Sequence, residues 1–235
     1  MPRAEATRPP PAWLSETARL KQIGRRVDPH AMVVPSIKGA IFARGAEDVQ
    51  KLVSDGQLSE ADLRRMLPAE DRAVLGHPIV ASGWYDVRIY GRVLDLLCNV
   101  EGQGAPEYLR QRGARSAELL MKAGLYQQME YLRRTEVAKQ SEAHGRFLAF
   151  GRDLRLLTSL HGSILNFARQ TAKVDPDRTD RYVIEFTEAA PMPEALCWTT
   201  AGFMNRMASG HGHGELWRWE RPSLDRVVYR MLRTP

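Results

Sequence analysis

The spacing of apolar residues changes once along this chain, close to Gly162, and that change limits the folds open to it. From Ser141 to about His161 the residues Phe147, Phe150, Leu154, Leu157 and His161 follow one another at steps of three and four. This is the stripe of a helix that buries one face. Beyond Gly162 the period falls to two. Ile164 to Ala172 predicts a strand, and so does Arg181 to Ala189, with Tyr182, Ile184 and Phe186 on one face. Asp175 to Asp180 supplies the turn chemistry between them. After a helix over Pro193 to Ala208, with Leu196, Phe203 and Met207 inward, two further alternating runs follow. One is Glu215 to Arg221, around Trp217 and Trp219, and the other is Asp225 to Arg233, around Val227, Tyr229 and Met231. The order of the last third is therefore β-β-α-β-β. Helices gathered at the front and strands at the back predict an α+β fold, a helix-rich first two-thirds packed on an antiparallel sheet, and not a doubly wound parallel one.

The front is read from local signals. Residues 1–12, with Pro9, Pro10 and Pro11 in a row, predict a disordered leader. The rest, 13–235, predicts one domain, with a helical part over 13–162 and a sheet part over 163–235. A strand is expected from Ile37 to Ala43, then a helix from Glu47 to Ser54 stopped by Asp55-Gly56. Ser59 and Asp62 form the start signal of the next helix, and another follows Pro68. Asp86 opens a helix to Cys98 with Tyr90, Val93 and Leu97 in phase, and Trp84-Tyr85 precede it as a staple. Pro106 opens one that reaches about Ala123, with Leu109, Gly113, Ala117 and Leu120 on one face. Small residues at its centre predict close approach of another helix. A further helix is expected from Leu125 to Thr135.

Charge and cysteine content exclude several classes. The net charge is +6, yet the charges are interleaved and no basic run reaches five residues, which speaks against a nucleic-acid surface. Only six of the 34 basic residues are lysine, a bias that points to a bacterial source. The two cysteines, Cys98 and Cys197, lie in apolar stretches and read as reduced core residues. No apolar run approaches the ~20 residues of a membrane span, and the N-terminus has no secretory h-region, so the expected location is the cytoplasm.

The candidate sites are few. His211 and His213, with Glu215 close by, could ligate a metal, although a Gly-rich turn presets no geometry. His161, on the inward face of its helix, could be an axial haem ligand or could simply bond a carbonyl at the helix end. Nucleophile motifs and phosphate-binding glycine loops are missing, so no catalytic residue is assigned. The aromatic residues of the last third, Trp217, Trp219, Tyr229, Tyr182 and Phe186, could form sheet core or line an apolar pocket.

Short motifs carry a resemblance. Ile37-Lys38-Gly39-Ala40-Ile41-Phe42 resembles the opening of haem-NO-binding domains, as does Ala81-Ser82-Gly83-Trp84-Tyr85 leading into a helix. The β-β-α-β-β end resembles those domains and the related 4-vinyl-reductase type. Together with Ala201-Gly202-Phe203, these features are also similar to a family of short myxobacterial paralogues. The resemblance spans 33–233 and implies a sensory, ligand-binding scaffold. It does not imply haem, because the Tyr-x-Ser-x-Arg motif of the haem domains is missing, and the cofactor stays unknown.

The residues and the resemblance together lead to a non-catalytic sensory or adaptor module of bacterial signalling. Its partner would be a small apolar ligand or a signalling protein, and it could form a homodimer. The expected lining is Phe147, Phe150, Leu154, His161, Phe203, Trp217 and Trp219. The alternatives are a protein–protein interaction module without a pocket, and a metal- or haem-dependent protein using His161 or His211 and His213.

Overall fold

A computed structural model of the chain describes residues 34–122, 143–159, 161–209 and 214–235. All of these but Val34 belong to one compact unit, Pro35–Pro235. The expected leader and the helix at Leu125 to Thr135 lie outside the described residues.

The first strand is shorter than its β-branched residues suggest. β1 is Ser36–Lys38, and helix α1 (Gly39–Ser54) begins at once. The expected strand to Ala43 is therefore wrong. Phe42, Gly45, Ala46, Val49 and Leu52 recur at helical spacing and are buried, and this periodicity outweighs the β-branched residues before it. Gly39 makes the sharp change possible. A β-carbon there would sit 2.0 Å from the Val80 carbonyl oxygen, and the Gly39 and Ala40 amides bond the carbonyls of Gly83 and Ala81. α2 (Glu60–Met66) has Ser59 as its cap, whose Oγ accepts from the Asp62 amide at 3.0 Å, and α3 (Ala69–Leu75) follows Pro68. β2 (Trp84–Asp86) pairs antiparallel with β1 and leads into α4 (Val87–Gly102), capped by Asp86. The buried Asp71 carboxylate ties α3 to α4 through both Arg92 Nε (2.5 Å) and Nη2 (2.7 Å).

α5 (Pro106–Lys122) meets α7 (Glu194–Ser209) backbone to backbone. A β-carbon on Gly113 would lie 1.9 Å from the Thr199 carbonyl oxygen, and one on Gly202 would lie 1.8 Å from that of Arg110. The close approach expected of the small residues in α5 is thus met by a glycine on each helix. Arg206 Nε bonds Glu118 at 2.8 Å across the same pair.

α6 (Ala143–Ser159) ends two residues before the expected His161, which instead opens a 3-10 turn over His161–Ser163. The strand expected over Ile164 to Ala172 is in fact split. Leu165 bridges Ile37, with Lys38 N bonded to Ile164 O and Asn166 N to Ser36 O, so this stretch joins β1. Ala168 then takes a left-handed conformation (φ 59°) that turns the chain away. Only after it does β3 (Arg169–Asp175) begin. It forms a hairpin with β4 (Arg178–Thr187), which starts earlier than expected because the turn is tight. Asp175 Oδ1 accepts from the Asp177 amide at 3.0 Å and closes it locally. β5 (Trp217–Ser223) and β6 (Arg226–Met231) complete an antiparallel sheet in the order β3-β4-β6-β5. The fold is α+β, with the predicted β-β-α-β-β order.

Register separates the two faces of the sheet. Ile184 lies opposite Tyr229, and Tyr229 opposite Trp219. Tyr182, Ile184, Phe186, Val227, Tyr229, Met231, Trp217 and Trp219 therefore share the face that α6 and α7 cover. The other face sets charged side chains around the buried Val183 and Val228. Glu185 accepts from Lys173 Nζ at 2.7 Å and from Arg226, and Arg230 spans Asp175 (2.9 Å) and Glu220 (3.0 Å).

Gly113→Ala tests the helix crossing. In a free helix this change favours folding by about 1 kcal/mol. Here the methyl group meets a backbone oxygen on the other helix, and chemical denaturation should show a loss of about 2 kcal/mol instead. A gain in stability would mean that the helices do not touch at this point.

Candidate functional site

The aromatic side chains of α6 and of the covered sheet face form one layer. Phe147 stacks on Tyr182 with ring centroids 4.3 Å apart, and Phe150 lies 6.2 Å from Tyr182 and 6.3 Å from Trp217. Leu154, one turn on, is buried. Gly151 makes room for this arrangement, because a β-carbon there would lie 2.0 Å from the Tyr182 hydroxyl. That hydroxyl donates to the Phe147 carbonyl at 3.1 Å, so its one polar atom is satisfied by the helix it packs against. Further along the sheet, the His161 ring meets Phe186 edge-on at 5.2 Å, and Phe186 meets Tyr229 at 5.6 Å. Tyr229 is fully buried and donates to the Cys197 carbonyl of α7 at 3.1 Å.

Five of the seven residues expected to line a pocket lie along this layer: Phe147, Phe150, Leu154, His161 and Trp217. The other two lie toward α7. Trp219 packs edge-on against Trp198 at 5.2 Å, and Phe203 sits on α7 where its backbone nitrogen faces Gly113 of α5. The pairing with Trp198 was not foreseen, since Trp198 lies two positions from Leu196 and so off the expected inward stripe of α7. Asn205 was missed as well. Its Oδ1 accepts from the amides of Leu216 (2.8 Å) and Trp217 (2.7 Å), and its Nδ2 donates to the Trp217 carbonyl (3.0 Å). It thereby fixes Trp217 at the edge of the ring layer.

His161 is half-buried and its Nε2 lies 3.4 Å from the Phe167 carbonyl oxygen, to which the Nε2-protonated ring donates. The carbonyl expected was one at the helix end, but the partner lies in the stretch that follows α6. A nitrogen directed at a carbonyl, on a ring set edge-on to Phe186, does not fit an axial haem ligand. Burial lowers the His161 pKa below its ordinary value, against the smaller opposing effect of backbone hydrogen bonds to Phe167 and Ala168. Burial also pushes the thiols of Cys98 and Cys197 up, which disfavours the nucleophilic thiolate at either position. His211 and His213 lie outside the described residues. Glu215, their expected companion, is exposed and pairs with Arg110 of α5. Among the described residues no three His, Cys, Asp or Glu side chains gather as a metal site, and no helix is long and apolar enough to cross a membrane.

The His161 environment has a signature in stability. A folded-state pKa below the unfolded value of about 6.5 means that only the unfolded chain takes up the proton as pH first falls below 6.5. The contribution of neutral His161 is complete above that value and is lost below it. Denaturation midpoints at pH 7.5 and 5.5 (both about one unit from the reference value) should differ more in the wild type than in His161→Gln. Equal differences would mean that His161 is solvated in the folded state.

No family model matches the chain, and no curated protein matches its sequence. Among solved structures, an H-NOX protein from S. oneidensis in the Fe(II)NO ligation state is similar to it. The two are 11% identical over 83% of this chain and 98% of that one, with a TM-score of 0.44.

Proposed function

We propose that the chain is a cytoplasmic, non-catalytic sensory or adaptor module of bacterial signalling, and that it takes a small apolar ligand between α6 and the sheet. The observation that carries this reading is the ring cluster Phe147–Tyr182–Phe150–Trp217, with a second cluster of His161, Phe186 and Tyr229 further along the same sheet face. Flat rings offer an apolar guest stacking surface at little loss of side-chain freedom. The Tyr182 and Tyr229 hydroxyls already bond carbonyls and so do not demand a polar guest.

In this reading α6 is a cover. Ligand that stacks between Phe147 and Tyr182 binds the open arrangement better than the closed one, the difference in affinity that any shift of population requires. The output runs through the segment that follows. His161 leads into Ile164–Asn166, which is bonded to β1, and Ser36 N donates to Asn166 Oδ1 at 2.6 Å. A displaced α6 therefore pulls on β1 and on the start of α1. The reading also places the chain among the myxobacterial paralogues that its short motifs resemble.

Native mass spectrometry of the purified chain tests the proposal. The expected result is an added mass of a small organic molecule that disappears on denaturation. Phe147→Leu keeps an apolar, smaller side chain at this half-buried position and should cost only about 1 kcal/mol of stability, while removing the stack on Tyr182. The ligand-bound fraction should fall several-fold with little change in Tm. A parallel fall in both would make the ring layer core and nothing more, and would leave an interaction module without a pocket.

A further inference from the structure

The two edges of the four-stranded sheet differ. β5 contains Pro222, and its register against β6 shifts between Glu220 and Ser223. Arg221, in the same stretch, is tied to the Met192 carbonyl at 2.6 Å. Proline and irregular register are the usual means by which an edge is kept from pairing. β3 lacks both over most of its length. It holds an unbroken register against β4 from Arg169 to Val174, contains no proline, and among the described residues has no strand on its other side. Among the described residues its outward backbone groups bond nothing. Val174 leaves an apolar side chain 42% exposed on this strand.

We propose that β3 pairs edge to edge with β3 of a second copy, antiparallel about a two-fold axis at Ala172, so that the two sheets become one. Symmetry and the pleat restrict the choice. A two-fold axis normal to the sheet keeps each residue on its own face, so residues opposite one another must have the same parity. The axis then passes through a residue, and near the middle of the strand the choices are Thr171, Ala172 and Lys173. An axis at Thr171 sets Arg169 against Lys173 of the other copy, and one at Lys173 sets that lysine against itself. Like charges directly opposite are unfavourable. An axis at Ala172 brings Arg169, 77% exposed and paired with Glu188 at 2.9 Å in its own chain, to the turn bearing the exposed Asp177 of the second copy. It also sets Thr171 beside Lys173, covers Val174 with Gln170, and puts the smallest side chain of the strand at the axis.

The full-length chain should show a reversible dimer in sedimentation velocity over about 1–100 µM. Thr171→Lys places two like-charged pairs across the axis, while within its own chain position 171 lies opposite Glu185 and tolerates a lysine. This variant should raise the dissociation constant about tenfold with an unchanged melting temperature. Ala172→Cys should give a covalent dimer under mild oxidation. Val174→Cys should not, because its two copies would lie about 13 Å apart, beyond disulfide reach. A chain that stays monomeric throughout overturns the proposal, including the case in which the edge takes an extended peptide from another protein. A dimer that ignores Thr171→Lys and leaves Ala172→Cys uncrosslinked also overturns it, since the contact would then lie elsewhere.

Discussion

Where α5 crosses α7 there is no room for a side chain at either of two positions. Gly113 lies against the Thr199 carbonyl, and Gly202 against the Arg110 carbonyl, each closer than any β-carbon could come. Helix axes so near one another leave little freedom in where α7 runs. α7 in turn sets the sheet: Asn205 holds the backbone of Leu216 and Trp217, the Cys197 carbonyl receives the Tyr229 hydroxyl, and the Met192 carbonyl just before the helix receives Arg221. The position of β5 and β6 thus traces back to two missing methyl groups.

α6 is held differently. It sits on the same face of the sheet through rings, chiefly Phe147 and Phe150 on Tyr182, whose hydroxyl bonds its backbone. Stacked rings can part and re-form with another apolar partner between them. Backbone packed on backbone has no such alternative. The contrast makes α7 the frame and α6 the cover in the proposed function. His161 stands at the joint, its pKa lowered by burial, with its ring on Phe186 and its chain leading to the β1 seam.

Much of this was legible in the residues. The change of period at Gly162 marked the α+β division, and the alternation around Tyr182 and Tyr229 marked which face is covered. Gly113 among larger neighbours announced the crossing of α5. The errors have physical causes. Ile37 to Ala43 has strand-like composition, but Gly39 lets the chain turn at once into a helix whose buried stripe runs on to Leu52. Ile164 to Ala172 looks continuous, yet Ala168 in a left-handed conformation divides it between two sheets, and no local signal foretells this for an alanine. Of the candidate site, the α6 stripe and Trp217 could be read from spacing. Gly151 as the notch for Tyr182 and Asn205 as the clamp on Trp217 depend on contacts between residues far apart in sequence, which no spacing reveals.

Hydrogen exchange followed by mass spectrometry on the intact chain tests the cover most directly. Amides in Ala143–Ser159 should exchange through a local opening, well ahead of those in Glu194–Ser209 and in β4 and β6, which should wait for global unfolding. If α6 and the sheet exchange together at the global rate, α6 is part of the frame, and the account of a ligand entering beneath it is wrong.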